Sequence, residues 1–160
     1  MIRVYFLRHG IAQPSDVVKL ADEERALTEL GVQRTRQLAS LLSNLGVEPS
    51  HLLTSPLTRA RQTADIIGQA LEVAVHVRDE LGPGFNLAAL DALLTDLPDD
   101  AEVMVVGHEP DFSGTISALI GGGSVVMKKG GLARIDIVSR HPLRGSLVWL
   151  IAPKVYERLN

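Results

Sequence analysis

The sequence contains no cysteine. A disulfide framework and a thiolate metal site are therefore both excluded, and the composition fits a reducing compartment. No apolar run approaches the roughly 20 residues that a membrane-spanning helix needs. The first apolar stretch is too short for a signal-peptide core and ends at charged Arg8. We therefore expect a cytoplasmic protein that has no membrane partner.

A long basic block is also missing, and the net charge is −3. Generic binding to nucleic acid is therefore not expected. What is present suits a globular domain, because 46% of the 160 residues are hydrophobic and 22% are charged. A chain of this length can bury a core without covalent cross-links. Since no repeat or linker interrupts the sequence, we expect residues 1–160 to form a single domain, and we expect a monomer.

Runs typical of strands alternate with helical patterns along the chain. The predicted strands cover residues 2–7, 51–55, 73–77, 102–107, 132–138 and 145–151. The predicted helices cover residues 28–45, 56–71, 87–97 and 112–120, with a loop at 11–25 and a surface tail at 154–160. This order predicts an α/β fold of three layers, α/β/α, with a mostly parallel central sheet and an antiparallel pair of strands near the C-terminus.

The first predicted helix has clear boundaries. Thr28 is a suitable N-cap, and Gly46 is placed to end the helix. The leucines at 38, 41, 42 and 45 fall at helical spacing, so we expect all four on the buried face.

Basic residues directly follow three of the predicted strands. Arg8-His9-Gly10 follows the first strand, Arg59 lies shortly after the second, and His108 follows the strand at 102–107. Because the carboxyl ends of parallel strands meet at one edge of a sheet, two arginines and two histidines should converge there. Such a cluster repels itself unless an anion fills it.

Phosphate is the natural anion for this cluster. An arginine grips phosphate oxygens at two points, and two such forks with two imidazoles can hold a phosphoryl group without a metal or other cofactor. A neutral His9 nitrogen can then displace an alcohol or an amine from phosphorus, and water can hydrolyse the resulting phosphohistidine. The other ring nitrogen should donate to a backbone carbonyl. Gly10 should let the backbone pass close to the phosphate.

These residues resemble the histidine phosphatase superfamily, also called phosphoglycerate mutase-like. The resemblance rests on four stretches that occur in the order of the family, namely Arg8-His9-Gly10, Leu27-Thr28-Glu29-Leu30-Gly31, Ser55-Pro56-Leu57-Thr58-Arg59-Ala60-Arg61-Gln62-Thr63 and Val105-Val106-Gly107-His108. Any one of these stretches alone would be weak support. Together they cover roughly residues 1–115.

The resemblance implies that His9 is the phosphorylated nucleophile and that Arg8, Arg59 and His108 form the phosphate pocket. The short chain is most similar to the protein phosphohistidine phosphatases of the superfamily. Larger members carry an insertion before the late strand that helps to cover a small substrate, and residues 71–102 are too few for it here. This implies an open pocket. Mutase-type members have an asparagine where this chain has Ser15. This difference weakens the interpretation that the chain is a mutase.

The proton donor for the leaving group is left open by the sequence. Glu80 lies in the loop from which the family's usual acid comes, and Glu109 directly follows His108, as an acidic residue does in another branch. We favour Glu80. The leading hypothesis is a metal-independent phosphatase acting on phosphohistidine in proteins. The alternatives are a phosphomonoesterase for small phosphoesters and a phosphate-binding regulatory module of weak activity.

Overall fold

A computed structural model describes residues 1–15 and 21–159. The strands are β1 Arg3–Arg8, β2 His51–Thr54, β3 Val75–Val77, β4 Glu102–Gly107, β5 Leu132–Arg140 and β6 Leu143–Ile151. The helices are α1 Glu29–Asn44, α2 Thr58–Leu71, α3 Leu87–Leu94, α4 Asp111–Leu119 and α5 Pro153–Glu157. In the described part of the chain, no helix is long and apolar enough to cross a membrane.

The six strands form one sheet in the order β3-β2-β4-β1-β5-β6. Strand β4 lies between β1 and β2 and runs parallel to both, and β3 is parallel to β2. Strands β5 and β6 add an antiparallel pair beside β1. This confirms the predicted mostly parallel sheet with an antiparallel C-terminal pair.

Helices cover both faces of the sheet. Side chains of α3 and α4, such as Leu90 and Phe112, pack with Phe6 and Val105 on one face. Side chains of α1 and α2 pack on the other face, against the alternate residues of the same strands. The alternation follows from the strand period of two, and continuous apolar runs in β1 and β4 are needed because both faces are buried. The three-layer prediction is therefore confirmed.

The ends of several elements differ from the sequence prediction. The helix predicted from residue 56 begins at Thr58, because Leu57 is still extended and acts as its N-cap. The prediction of Leu45 on the buried face is wrong, since its side chain is 50% exposed after the end of α1. The loop predicted for residues 11–25 contains a short 3-10 turn at Asp22–Glu24, and part of the prediction, residues 16–20, lies outside the described residues.

The prediction of a surface tail at residues 154–160, of which residue 160 lies outside the described residues, is wrong for one important side chain. Tyr156, on α5, is only 1% exposed and packs in the core with α1. Its hydroxyl donates to the Gly130 carbonyl at 2.9 Å. Gly130 has φ 78, and a Cβ at this position would collide with the Tyr156 hydroxyl. Helix α5 therefore fixes the loop before β5, and that loop contacts the end of β1.

Candidate active site

The end of β1 brings His9 beside His108, which follows β4. The two rings have centroids 5.3 Å apart, and the side chains are only 6% and 5% exposed. The parallel pairing of β1 with β4 sets this neighbourhood, because Arg8 lies opposite Gly107 and the His9 amide donates to the Gly107 carbonyl at 3.0 Å. The two histidines therefore meet at one sheet edge, as the motif order predicted.

The hydrogen bond of the His9 ring fixes its tautomer. Nδ1 lies 2.7 Å from the Gly10 carbonyl oxygen. Because a carbonyl can only accept, the proton must be on Nδ1, and Nε2 then keeps its lone pair. This is the bond that the sequence analysis expected for His9, and it leaves Nε2 unprotonated in the neutral ring.

Three side chains and helix α1 crowd the backbone around Gly10. The Gly10 amide donates to Thr63 Oγ1 at 3.1 Å, and the Thr63 hydroxyl donates to the Arg59 carbonyl at 2.8 Å. A Cβ on Gly10 would lie 3.0 Å from Thr35 Oγ1 and 3.4 Å from Leu27 Cδ2. Gly10 therefore permits a close approach of α1 and α2 to the backbone that carries His9.

Arg8 is held by the loop that precedes β5. Its Nη1 donates to the Met127 carbonyl at 2.9 Å, and its amide donates to the Gly131 carbonyl at 3.1 Å. The Gly130 amide in turn donates to the carbonyls of Arg8 and His9 at 3.1 and 3.0 Å. The loop thus supports both the backbone and the guanidinium of the first motif.

Arg59 lies in the first turn of α2 and is 7% exposed. Its Nη1 donates to the Asp22 carbonyl at 2.8 Å, and its Nη2 pairs with Asp22 Oδ2 at 3.2 Å. Arg25 binds the same carboxylate at 2.9 Å. Burial opposes ionisation of Asp22, but the hydrogen bonds and charges of Arg25 and Arg59 outweigh it and lower the pKa of its carboxyl. In this structure a carboxylate therefore occupies one side of the guanidinium that was predicted to bind phosphate.

Ser55 positions His108. Its Oγ lies 2.7 Å from His108 Nε2 and accepts from the Leu57 amide at 3.2 Å. When the Ser55 hydroxyl donates to Nε2, the His108 proton sits on Nδ1, which is buried and has no hydrogen-bond partner among the described residues. In that tautomer Nδ1 is a donor available to an anion.

The four predicted pocket residues share one electrostatic environment. Burial is the main cause that lowers the pKa of His9 to about 3. The hydrogen bond to Gly10 raises this pKa, whereas the charges of His108, Arg59 and Arg8 lower it further. Burial also lowers the pKa of His108 to about 4, with Arg59 as the next cause.

Within the described residues, Arg8 Nε, Arg59 Nε and His108 Nδ1 are buried without a hydrogen-bond partner. A phosphoryl group supplies the acceptors that such donors require.

The two candidate acids lie in different settings. Glu109 accepts from the Ser113 amide at 2.8 Å and from the Ser113 hydroxyl at 2.6 Å, so both of its oxygens serve the first turn of α4. Glu80 is exposed in the 3-10 turn Asp79–Leu81. The Leu81 carbonyl of that turn would lie 3.4 Å from a Cβ on Gly107, the residue before His108. The turn that carries Glu80 therefore lies next to the residue that precedes His108.

Sequence reasoning missed three residues that shape the pocket. Asp22 had no signal, because it lies in a stretch without periodicity and meets Arg59 only through the fold. Ser55 and Thr63 lie inside the third matching stretch, and their hydrogen bonds explain why a hydroxyl is present at each position. Among the described residues, no group of three or more side chains is arranged to hold a metal ion.

Comparison with known proteins agrees with this geometry. The family model of the histidine phosphatase superfamily (branch 1) matches residues 4–82. Phosphohistidine phosphatase SixA of Escherichia coli is 32% identical over 113 residues, which are 68% of each chain. An uncharacterised protein of a Picosynechococcus species is 38% identical over 139 residues, or 82% of each chain. The solved structure of the protein histidine phosphatase SixA complexed with tungstate superposes with a TM-score of 0.85 at 26% identity, covering 96% of this chain and 98% of that one.

The chain therefore belongs to the histidine phosphatase superfamily. Within it, the chain is a SixA-like phosphatase, and its fold is the phosphoglycerate mutase-like α/β fold that the sequence predicted. The resemblance drawn from four short stretches is confirmed.

The low pKa values of the two histidines predict an acid-sensitive fold. Between about pH 6.5 and pH 4, the unfolded chain binds protons that the folded chain excludes, so the free energy of unfolding should fall as the pH falls. Each histidine should contribute a slope of about 1 kcal/mol per pH unit. Denaturant titrations at a series of pH values should show that His9→Asn, whose amide can keep the Gly10 bond, has a slope shallower by that amount.

The control for this slope is His76→Asn, which changes an exposed histidine on β3. It should keep the slope of the unchanged protein. Equal slopes for the unchanged protein and His9→Asn would contradict a buried, neutral His9.

The Asp22 carboxylate should compete with phosphate for Arg59. We expect Asp22→Asn to tighten inhibition by inorganic phosphate about threefold, a modest gain because the Asp22 side chain is 57% exposed and its ion pair is screened by water. Glu23→Gln removes the same charge from the same turn and should leave the inhibition constant unchanged. Weaker phosphate binding by Asp22→Asn would show instead that Asp22 orients Arg59 for the anion.

Proposed function

We propose that the chain hydrolyses phosphohistidine on proteins, with His9 as the group that attacks phosphorus. The observation that carries the proposal is the buried His9 ring, whose Nδ1–H donates a hydrogen bond to the Gly10 carbonyl at 2.7 Å and so leaves a lone pair on Nε2. Its low pKa, about 3, keeps the ring neutral near pH 7. The kinship with SixA, a phosphohistidine phosphatase, supports this substrate class.

In the proposed first step, His9 Nε2 attacks phosphorus in line with the leaving nitrogen. A nitrogen–phosphorus bond forms to His9 while the nitrogen–phosphorus bond to the substrate imidazole breaks. Arg8, Arg59 and His108 donate to the phosphoryl oxygens and stabilise the charge that they carry in the transition state. Phosphate oxygens replace the Asp22 carboxylate on Arg59 in this complex.

In the proposed second step, water attacks the phosphohistidine on His9. The oxygen of water bonds to phosphorus, the bond to Nε2 breaks, and inorganic phosphate leaves. His9 then returns to the neutral tautomer with its proton on Nδ1, because the Gly10 carbonyl accepts in both states. The same donors serve both steps, since the phosphoryl oxygens stay in one place.

We propose Glu80 as the proton donor for substrates with a poor leaving group. An alkoxide needs a proton as it departs, whereas an imidazole is a much better leaving group and depends less on a placed acid. Glu80 suits this role because it is exposed on a turn beside the residue that precedes His108, while Glu109 is held by Ser113. An acid on an exposed turn fits an enzyme whose main substrate, phosphohistidine, depends little on protonation of its leaving group by a placed acid.

We propose further that residues 1–160 work as one cytoplasmic, monomeric domain.

The connection from α2 to β4, residues 72–101, carries only β3, a 3-10 turn and the short α3. Because this connection is short, we propose that a phosphorylated side chain on another protein can reach the pocket. This accessibility favours a protein substrate over a small phosphoester.

A covalent intermediate should be detectable on His9. Brief exposure to a ³²P-labelled phosphohistidine protein, followed by alkaline quenching, should leave acid-labile, base-stable label on the unchanged chain. His9→Asn should carry no label and should lose more than a thousandfold in turnover, because the nucleophile is gone. Equal labelling of His9→Asn would exclude His9 as the attacking group.

Turnover of different substrates separates protein phosphohistidine from small phosphoesters. We expect kcat/KM to be highest for phosphohistidine protein, with alkyl phosphates far slower. Glu80→Gln should slow alkyl phosphates and spare phosphohistidine, and Asp79→Asn, on the same exposed turn, serves as the control. A strong preference for one small phosphoester would assign the pocket to phosphomonoester hydrolysis instead.

A further inference from the structure

A groove of about 560 Å³ opens beside Arg8, outside the phosphate pocket. It is lined by the exposed Lys128 and Lys129 from the loop before β5 and by Lys154 and Glu157 from α5. Ala152 and Pro153 form the apolar part of the wall of the groove. Arg8 belongs to both the groove and the pocket, so the two sites are continuous.

Lysine is unevenly distributed in this chain. The sequence has four lysines, at positions 19, 128, 129 and 154, although the net charge is −3. Three of the four therefore line a single groove next to the pocket. The arginines, by contrast, are spread along the whole chain.

The positive charge of the groove is not neutralised by its one carboxylate. Glu157 is paired with Arg34, whose Nε lies 3.9 Å from Glu157 Oε1. Across residues 1–15 and 21–159, none of Lys128, Lys129 and Lys154 forms an ion pair. Arg8, also at the groove, adds a further cation. The groove therefore presents several free cations to solvent.

Backbone hydrogen bonds connect the segment that carries Lys128 and Lys129 to the backbone of Arg8 and His9. Met127, whose carbonyl holds Arg8, directly precedes Lys128. The Lys128 carbonyl accepts from the Gly131 amide at 2.7 Å, and the Gly130 amide donates to the His9 carbonyl. The segment that carries Lys128 and Lys129 is therefore joined to the backbone of His9, so the groove stays next to the phosphate pocket.

We propose that this groove binds acidic side chains next to the phosphorylated residue of a substrate protein. The inference rests on the proposed function and names the surface by which the substrate is recognised. Lysine suits this task because its ammonium is a mobile point charge that can meet carboxylates in varied positions, whereas the fork of arginine matches one planar anion. The lysines lie on two elements, the loop before β5 and helix α5. Ammonium groups spread in this way can pair with several carboxylates along a peptide better than with one small anion.

The test uses two synthetic phosphohistidine peptides of equal length, one with glutamates flanking the phosphohistidine and one with glutamines there. The unchanged protein should show kcat/KM about tenfold higher for the glutamate peptide at low ionic strength. Lys128→Gln/Lys129→Gln should remove most of that advantage. Turnover of phosphoramidate, which is too small to reach the groove, should stay within twofold.

The matched control is Arg36→Gln/Arg144→Gln, which makes the same change in net charge at two exposed positions, one on α1 and one on β6. This variant should keep the preference for the glutamate peptide within twofold. The preference in the unchanged protein should shrink in about 0.5 M salt, because exposed charges are screened there. Equal losses in the two double variants would overturn the proposal, since net charge alone would then explain the effect.

A binding measurement decides the proposal independently of turnover. Fluorescein-labelled, unphosphorylated glutamate and glutamine peptides are titrated with the unchanged protein and with Lys128→Gln/Lys129→Gln, and anisotropy gives the affinities. Tighter binding of the glutamate peptide that is lost in the variant supports the groove even if neither phosphopeptide is hydrolysed, which would refute only the proposed function. Equal binding of both peptides by the unchanged protein would overturn it.

Discussion

The mutual repulsion of positive groups at one buried sheet edge is the constraint on which this structure depends. His9, Arg59 and His108 are buried at this edge, and the half-buried Arg8 lies beside them. Burial and the neighbouring charges keep both imidazoles neutral, which lowers the repulsion. The Asp22 carboxylate offsets part of the remaining charge on Arg59. A phosphoryl dianion would offset far more of it, so the arrangement that is unfavourable alone becomes favourable around the substrate.

The four matching stretches are best understood as supports for the His9 backbone. Gly31 lets α1 cross that backbone, because a Cβ there would collide with the Ile11 carbonyl, and the Thr28 amide donates to the same carbonyl at 2.9 Å. Gln62 accepts from the Leu27 amide at 2.7 Å, which joins α2 to the start of α1. Gly31, Thr28 and Gln62 thus each have a structural reason for their place in the matching stretches. Such support holds the His9 backbone in one position.

Sequence reasoning succeeded where a local pattern determines the structure. The apolar runs of β1 and β4, the Thr28 cap and the motif order predicted the sheet, the first helix and the meeting of the two histidines. It failed where distant residues decide the outcome. Asp22 reaches Arg59 only through the folded chain, and Tyr156 is buried because its hydroxyl meets the Gly130 carbonyl of a loop far away in sequence. The short C-terminal segment has no periodic pattern from which the contact of Tyr156 with Gly130 could be predicted.

The central claim is that His9 is a neutral imidazole whose proton is on Nδ1, so that Nε2 can attack phosphorus. Long-range ¹H–¹⁵N NMR of the ¹⁵N-histidine-labelled protein reads the charge and tautomer of each ring directly. At about pH 6, which is well above the His9 pKa of about 3, the account predicts a neutral ring with protonated Nδ1. An imidazolium at that pH, or a neutral ring with its proton on Nε2, would contradict it.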